Sequence, residues 1–301
     1  MPREKVEAVR RRIQGARELQ SVVKTMKALS AAEIWHYERA VEALDEYMRT
    51  VELGLRAALH EHAEELAIVQ KPEQHRLGAI VLGSDQGFVG RFNDNLVSYA
   101  LSEMASVQPD ETQRSLIVMG RRVRARLAAE GQRIIAHEDM PRSLDGVLPH
   151  VHRLTERLFA WFSEQDVDHI FLFYNRPLSA ARYESVGFEL LPINLDWLQK
   201  LQSEPWLSRA LPHFDLDWND LFQEIIVEYF FVMVYRAFVA SLAAEHASRL
   251  ASMQSAEENI EKRLEKLQQA YHQQRQNAIT DELGDIISGA EATRGASSWD
   301  E

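Results

Sequence analysis

Residues 5–58, KVEAVRRRIQGARELQSVVKTMKALSAAEIWHYERAVEALDEYMRTVELGLRAA, carry an apolar stripe with alternating spacings of three and four. Its a positions are Val6, Ile13, Gln20, Lys27, Ile34, Val41, Met48 and Leu55; its d positions are Val9, Ala16, Val23, Ser30, Tyr37, Leu44, Val51 and Ala58. The same spacing returns near the other end through Ile225, Tyr229, Val232, Arg236, Val239, Ala243, His246, Leu250, Met253, Glu257, Ile260, Leu264, Leu267 and Tyr271. A seam that repeats about every 3.5 residues keeps facing a partner only when two helices wind around each other left-handed. Two such stripes flanking a stretch of different pattern predict long terminal helices that find each other and carry a globular insert.

At 301 residues the chain is longer than the usual single compact domain, which suits a helical rod plus one small domain. A net charge of −12 argues against a general binder of nucleic acid or acidic membranes. The basic exception is local: Arg10, Arg11, Arg12, Arg17, Lys24 and Lys27 fall in the first helix. With no cysteine, disulfides and thiolate chemistry are excluded, which suits a reducing compartment. The helical stripe begins almost at Met1, leaving no space for a signal segment. The most apolar run, Ile225 to Leu242, is broken by Glu228 and Arg236, so contact with a membrane is expected only through partners.

One helix is predicted from residue 3 to about 66, ended by the Pro72 segment. From Leu77 short apolar runs alternate with helical stretches. Strands are predicted at Gly78 to Leu82, Ser115 to Met119, Gln132 to Ala136, His169 to Tyr174 and Tyr183 to Leu191, the last two paired across a turn near Pro177. Helices are predicted at Asn95 to Val107, Arg121 to Glu130 and Val147 to Glu164. This alternation indicates a small, mostly parallel sheet with helices on its faces. The expected divisions are a helix over 1–68, an inserted α/β domain over 77–192, a connection over 193–216, a helix over 217–288 and a tail over 289–301. Asp217 or Asp220 can cap the last helix, which at 1.5 Å per residue would run ~100 Å, too long for this chain to bury alone.

The first stripe is polar at Gln20, Lys27 and Ser30, while Leu19, Val22, Met26 and Leu29 form an adjacent apolar row over the same turns. A helix apolar on more than one side is expected to be surrounded. Either the row widens an internal core, or partner chains sleeve it.

Chemical motifs are sparse. Gly83, Gly87 and Gly90 lie between a strand and a helix, but their spacing fits neither phosphate-binding fingerprint and no lysine follows. The favoured reading is a tight turn in which Ser84 and Asp85 bond the backbone and Asn93 caps the next helix. The pairs His60/His62 and His150/His152 fall on or beside helices, where neighbours two apart diverge, so solvated histidines are expected rather than metal ligands. Ser84 has no evident histidine partner for nucleophilic catalysis, and no catalytic, cofactor or metal residue is assigned.

Several of these segments resemble the gamma subunit of F-type ATP synthases. Arg10-Arg11-Arg12-Ile13, Leu19-Gln20 and Val23 to Ala32 are similar to its N-terminal signature. Gly83-Ser84-Asp85-Gln86-Gly87-Phe88-Val89-Gly90-Arg91-Phe92-Asn93 is similar to its central motif. Leu242 to Arg249, Arg275 to Thr280 and Ile286 to Ala292 resemble its C-terminal helix. The matches occur in family order and span nearly the whole chain. The resemblance implies an α/β protein, a long antiparallel coiled coil of terminal helices with an inserted Rossmann-like α/β domain of about five strands. It implies a rotor shaft, turning in a ring of alpha and beta subunits and coupling ion translocation to ATP synthesis or hydrolysis at beta. Further implied partners are the epsilon subunit and the membrane c-ring, with no cofactor on the shaft. The implied place is the cytoplasmic face of the bacterial inner membrane, held peripherally. Lys24, Met26, Lys27, Arg249, Arg275, Gln276 and Thr280 are the implied contacts to the ring.

The departures are Glu33 where the family carries lysine, Val89 for the cysteine of the central motif, and Glu18-Leu19-Gln20-Ser21 for a more polar run. They suggest a divergent branch, that of the alternate F-type ATPases, some of them sodium-coupled. The other reading of the same features is a coiled-coil interaction protein whose α/β insert binds a ligand or acts as an enzyme.

Overall fold

The computed structural model describes residues 2–61, 76–163, 167–179, 182–204, 206 and 214–296. In chain order the elements are α1 (Pro2–Glu61), β1 (Leu77–Leu82), α2 (Phe92–Val107), β2 (Arg114–Met119), α3 (Arg121–Ala129), β3 (Ile134–Glu138), α4 (Val147–Ser163), β4 (His169–Ser179), β5 (Arg182–Leu191), α5 (Leu195–Ser203) and α6 (Trp218–Ala296). They form two compact units: a terminal unit of residues 1–29 with 251–301, and a middle unit of residues 30–250.

The middle unit is built on a five-stranded sheet of order β3-β2-β1-β4-β5, parallel except for the β4–β5 pair. β1 lies at its centre and all six of its residues are buried, as a strand covered on both faces requires. Alternation then divides the strands. Ile80, Leu82, Ile117, Met119, Ile170 and Leu172 face a core shared with α1, α4, α5 and α6. Ala79, Val81, Leu116, Val118 and Phe173 face α2 and α3. α6 joins the sheet so closely that every residue from Ala237 to Glu245 is buried. One 18-residue window of α6 is apolar enough to cross a membrane, but 61% of it is buried inside the chain, so its apolarity is used by its own core. The helices run antiparallel in this unit: Tyr37 stacks on His246 with ring centroids 5.4 Å apart, and Asp45 accepts from Arg236 Nε at 2.5 Å.

The terminal unit is a thinner helix pair. Val9, Ile13 and Ala16 meet Leu264, with Ile260, Leu267 and Tyr271 packed alongside, so both predicted stripes form the seam. Direction is again antiparallel, since Lys27 reaches Glu257 while Gln20 reaches Glu261.

Some expectations are corrected. The segment expected to be a plain connection contains α5, capped by Asn194, whose side chain accepts from the Trp197 N–H at 3.1 Å and whose Leu198 and Leu201 are buried. The tail expected from residue 289 continues as helix to Ala296. Pro177 does not form a turn: it lies in β4 opposite Tyr183, where β4 and β5 run on past the end of β1 as a two-stranded ribbon. A proline is tolerated there because no third strand needs its missing N–H. β3 begins two residues later than expected, at Ile134. Asp217 caps α6, accepting from the Asn219 N–H at 3.0 Å. The expected end of the first helix near residue 66, Pro72, His62, Pro205 and Pro212 lie outside the described residues.

Candidate functional site

The loop from Gly83 to Arg91 leaves the carboxyl end of β1 and is fastened almost residue by residue. Gly83 donates to the Met119 carbonyl at 2.9 Å, and a Cβ on it would lie 2.3 Å from Val123, so the strand can approach α3 only through glycine. The Asn93 amide oxygen accepts from the Ser84 N–H at 3.0 Å while its nitrogen donates to Ser84 Oγ at 2.8 Å. Ser84 Oγ donates in turn to the Gln86 carbonyl at 3.1 Å. Asp85 accepts from the N–H groups of Arg121, at 2.8 Å, and Met140, at 3.0 Å. Asn93 was expected to cap α2. Instead Arg91 occupies that position without a side-chain bond, and Asn93, the second residue of the helix, reaches back to close the loop.

Between the anchors of this motif, Gly87 lies beside the Arg122 guanidinium and Gly90 has φ +55°. Phe88 carries φ +61° and is 68% exposed, while its neighbour Val89 is buried against Phe92 and Ala244. The tertiary fold brings Arg122 and Arg126 from α3 to the groove along Gln86 to Asn93. Arg126 is already paired with Asp94, which lines the same groove and would repel a phosphate. The motif residues Gly83, Ser84, Asp85, Gly87, Gly90 and Asn93 therefore build a rigid turn.

Beside the loop, on α6, lies a buried polar group that the sequence did not single out as a unit. Glu245 and Arg249 form an ion pair one helical turn apart, both side chains nearly fully buried. Arg249 was expected to contact partner subunits; at 4% exposure its guanidinium is held inside its own chain. Burial raises the Glu245 carboxyl above its ordinary pKa, opposed by Arg249. Burial, then the Arg249 charge, pushes His246 down to about 4, so its ring is neutral. Burial, with Glu33 and Glu245 adding to it, pushes the Tyr37 hydroxyl up to about 12.

In the terminal unit, Glu257 is the hub. It accepts from Lys27 Nζ at 2.5 Å and lies 3.8 Å from Lys24 Nζ, and the Lys27 bond, aided by both positive charges, lowers its pKa. The polar seam positions Gln20 and Lys27 thus find partners within the chain, at Glu261 and Glu257. The adjacent row does not: Leu19, Val22 and Leu29 are more than half exposed and Met26 is half-buried. On α6, Arg275, Gln276 and Thr280 are exposed, Thr280 Oγ1 donating to the Gln276 carbonyl at 3.0 Å. Ile279, Leu283, Ile286 and Ile287 are exposed as well. His150, expected to be solvated, is half-buried and bonded to the Gly146 carbonyl at 2.8 Å. Glu257, Arg236 and His246 could have been found from sequence, because each is a polar residue at a seam position that needs an antiparallel partner.

The sequence model of a family described as ATP synthase matches residues 5–293. The ATP synthase gamma chain of Sulfurihydrogenibium sp. strain YO3AOP1 is 27% identical over 288 residues, 95% of this chain and 97% of its own length. That of Xanthomonas campestris pv. campestris strain B100 is 24% identical over 298 residues, 94% of this chain and 98% of its own. The chain belongs to the ATP synthase gamma family. A gamma-like fold is also found in the rotor of the Euglena gracilis mitochondrial ATP synthase, with a TM-score of 0.63 at 17% identity, covering 91% of this chain and 98% of that one. Among gamma chains this member's departures acquire positions. Val89 fills a buried site beside α6, and Glu33 lies near enough to Tyr37 to oppose its ionisation.

Proposed function

We infer that the chain is the central-stalk gamma subunit of an F-type ATP synthase, a rotor shaft that turns inside a ring of alpha and beta subunits. It couples ion translocation to ATP synthesis or hydrolysis, while the chemistry stays on beta and the shaft carries no catalytic group. Its other partners are the epsilon subunit and the c-ring, and it meets the membrane only through them, on the cytoplasmic face of the bacterial inner membrane.

Beyond family membership, one observation carries this reading. In the terminal unit the heptad seam is already filled by the chain's own two helices, yet Leu19, Val22 and Leu29 stay exposed beside it. An apolar row of this kind on a paired helix calls for a surrounding partner. Met26 belongs to that row, Lys24 and Lys27 lie in the same turns beside Glu257, and Arg275, Gln276 and Thr280 are exposed on α6, where they can meet the ring.

Co-expression with the cognate alpha and beta subunits tests the reading. The expected result is a stable complex whose ATPase activity depends on this chain. A chain that stays monomeric beside a fully active head would overturn it.

A further inference from the structure

Two serines on one side of α6 hold carbonyls at the end of β1 and in the motif loop. Ser241 Oγ donates to the Leu82 carbonyl at 3.2 Å, and Ser248 Oγ to the Val89 carbonyl at 2.7 Å. Both hydroxyls are buried, and seven residues of helix separate them, about two turns, so they share a face. Between them Ala244 packs on Val89 and Phe92. The loop is fastened from the sheet side too: the Asn175 amide donates to the Phe92 carbonyl at 3.1 Å, and Ser185 Oγ donates to the Asn175 side-chain oxygen at 2.6 Å.

On the same face of α6 the buried alanines Ala237 and Ala244 let the helix approach closely, beside the buried Val234, Phe238 and Glu245. Apolar contact is non-directional and resists separation far more than rotation about the helix axis, whereas a hydrogen bond weakens steeply once its angle is lost. A helical serine ordinarily returns its hydroxyl to its own helix's carbonyls. Here one hydroxyl is spent on the end of β1 and the other on the loop.

We propose that the loop from Leu82 to Phe92 is a torsional clamp, with Ser241 and Ser248 as positioning residues that fasten α6 to the sheet so that twist passes between them without slip. The proposal rests on the rotor reading and adds to it a specific path for torque within residues 30–250.

The chain has no cysteine, so a single Glu103→Cys on the exposed side of α2 gives one attachment point for a nanorod. With the full chain assembled with its head and ring subunits, the angular spread of the rod is recorded while the motor is stalled, and amide exchange of residues 82–92 is measured on the same complex. The Ser241→Ala/Ser248→Ala pair is expected to widen the angular spread and speed loop exchange roughly ten- to a hundredfold, from two lost buried hydrogen bonds. Ser248→Thr, which keeps the hydroxyl, is expected to restore the spread when it replaces the alanine. If the double variant does not assemble, Ser248→Ala alone is read in the same way. An unchanged spread in an assembled, rotating variant overturns the clamp and leaves the rotor reading standing. An unaltered chain that neither assembles nor rotates overturns the rotor reading itself.

Discussion

His246 sits where a histidine is costly to charge: burial and the neighbouring Arg249 bring its pKa from 6.5 to about 4. The unfolded chain therefore takes up the proton first as pH falls, and stability is lost between about pH 6.5 and 4. The full shift corresponds to about 3 kcal/mol. His246→Gln keeps a similar volume without titrating, so chemical denaturation across this range should show a flatter pH profile than the parent; parallel profiles would mean that the ring is hydrated and charged. Tyr37 acts at the other end. Its hydroxyl is raised to about 12, so the stability it contributes is present below pH 10 and lost as pH rises from 10 to 12. Gly83 is constrained by contact rather than charge, because an added Cβ would lie 2.3 Å from Val123. Gly83→Ala should cost about 1–3 kcal/mol by overpacking, read as a lowered melting temperature of the full chain.

At the scale of elements, the two ends of α1 and α6 are not equally supported. Within residues 30–250 the helices join a large core with the sheet and α4, whereas in the terminal unit the principal cluster is Val9, Ile13, Ala16 and Leu264. Leu264→Ala removes the buried member that α6 contributes to that cluster. It should cost about 2–3 kcal/mol, seen as faster amide exchange in residues 9–16 and 260–271 with residues 77–191 unaffected. Lys27→Glu acts on charge instead, placing two carboxylates where a 2.5 Å bond to Glu257 now stands. The loss should be small and should shrink in high salt, because the pair is partly exposed.

For the molecule as a whole, the exposed Leu19, Val22 and Leu29 with the half-buried Met26, and the exposed isoleucines of α6, set what the isolated chain does. It should bind a hydrophobic dye through this surface and lose that signal on joining the alpha and beta subunits. Met26→Lys and Ile279→Lys should lower complex yield or coupling while circular dichroism stays unchanged; normal yield and coupling in both would remove these turns from the sleeve. The amino-acid sequence determined the two helical stripes, the alternation of strands and helices, and the glycine turn after β1, because each depends on local spacing and local backbone freedom. The particular long-range partner that a polar residue takes was decided only by tertiary structure. Lys27 meets Glu257, Arg236 meets Asp45 and Arg249 turns inward to Glu245. Asn93 closes the motif loop rather than capping α2, and Ser248 reaches Val89 across 159 positions. A hydrogen bond needs its partner within about 3 Å, and which group arrives there depends on chain segments that sequence spacing does not relate.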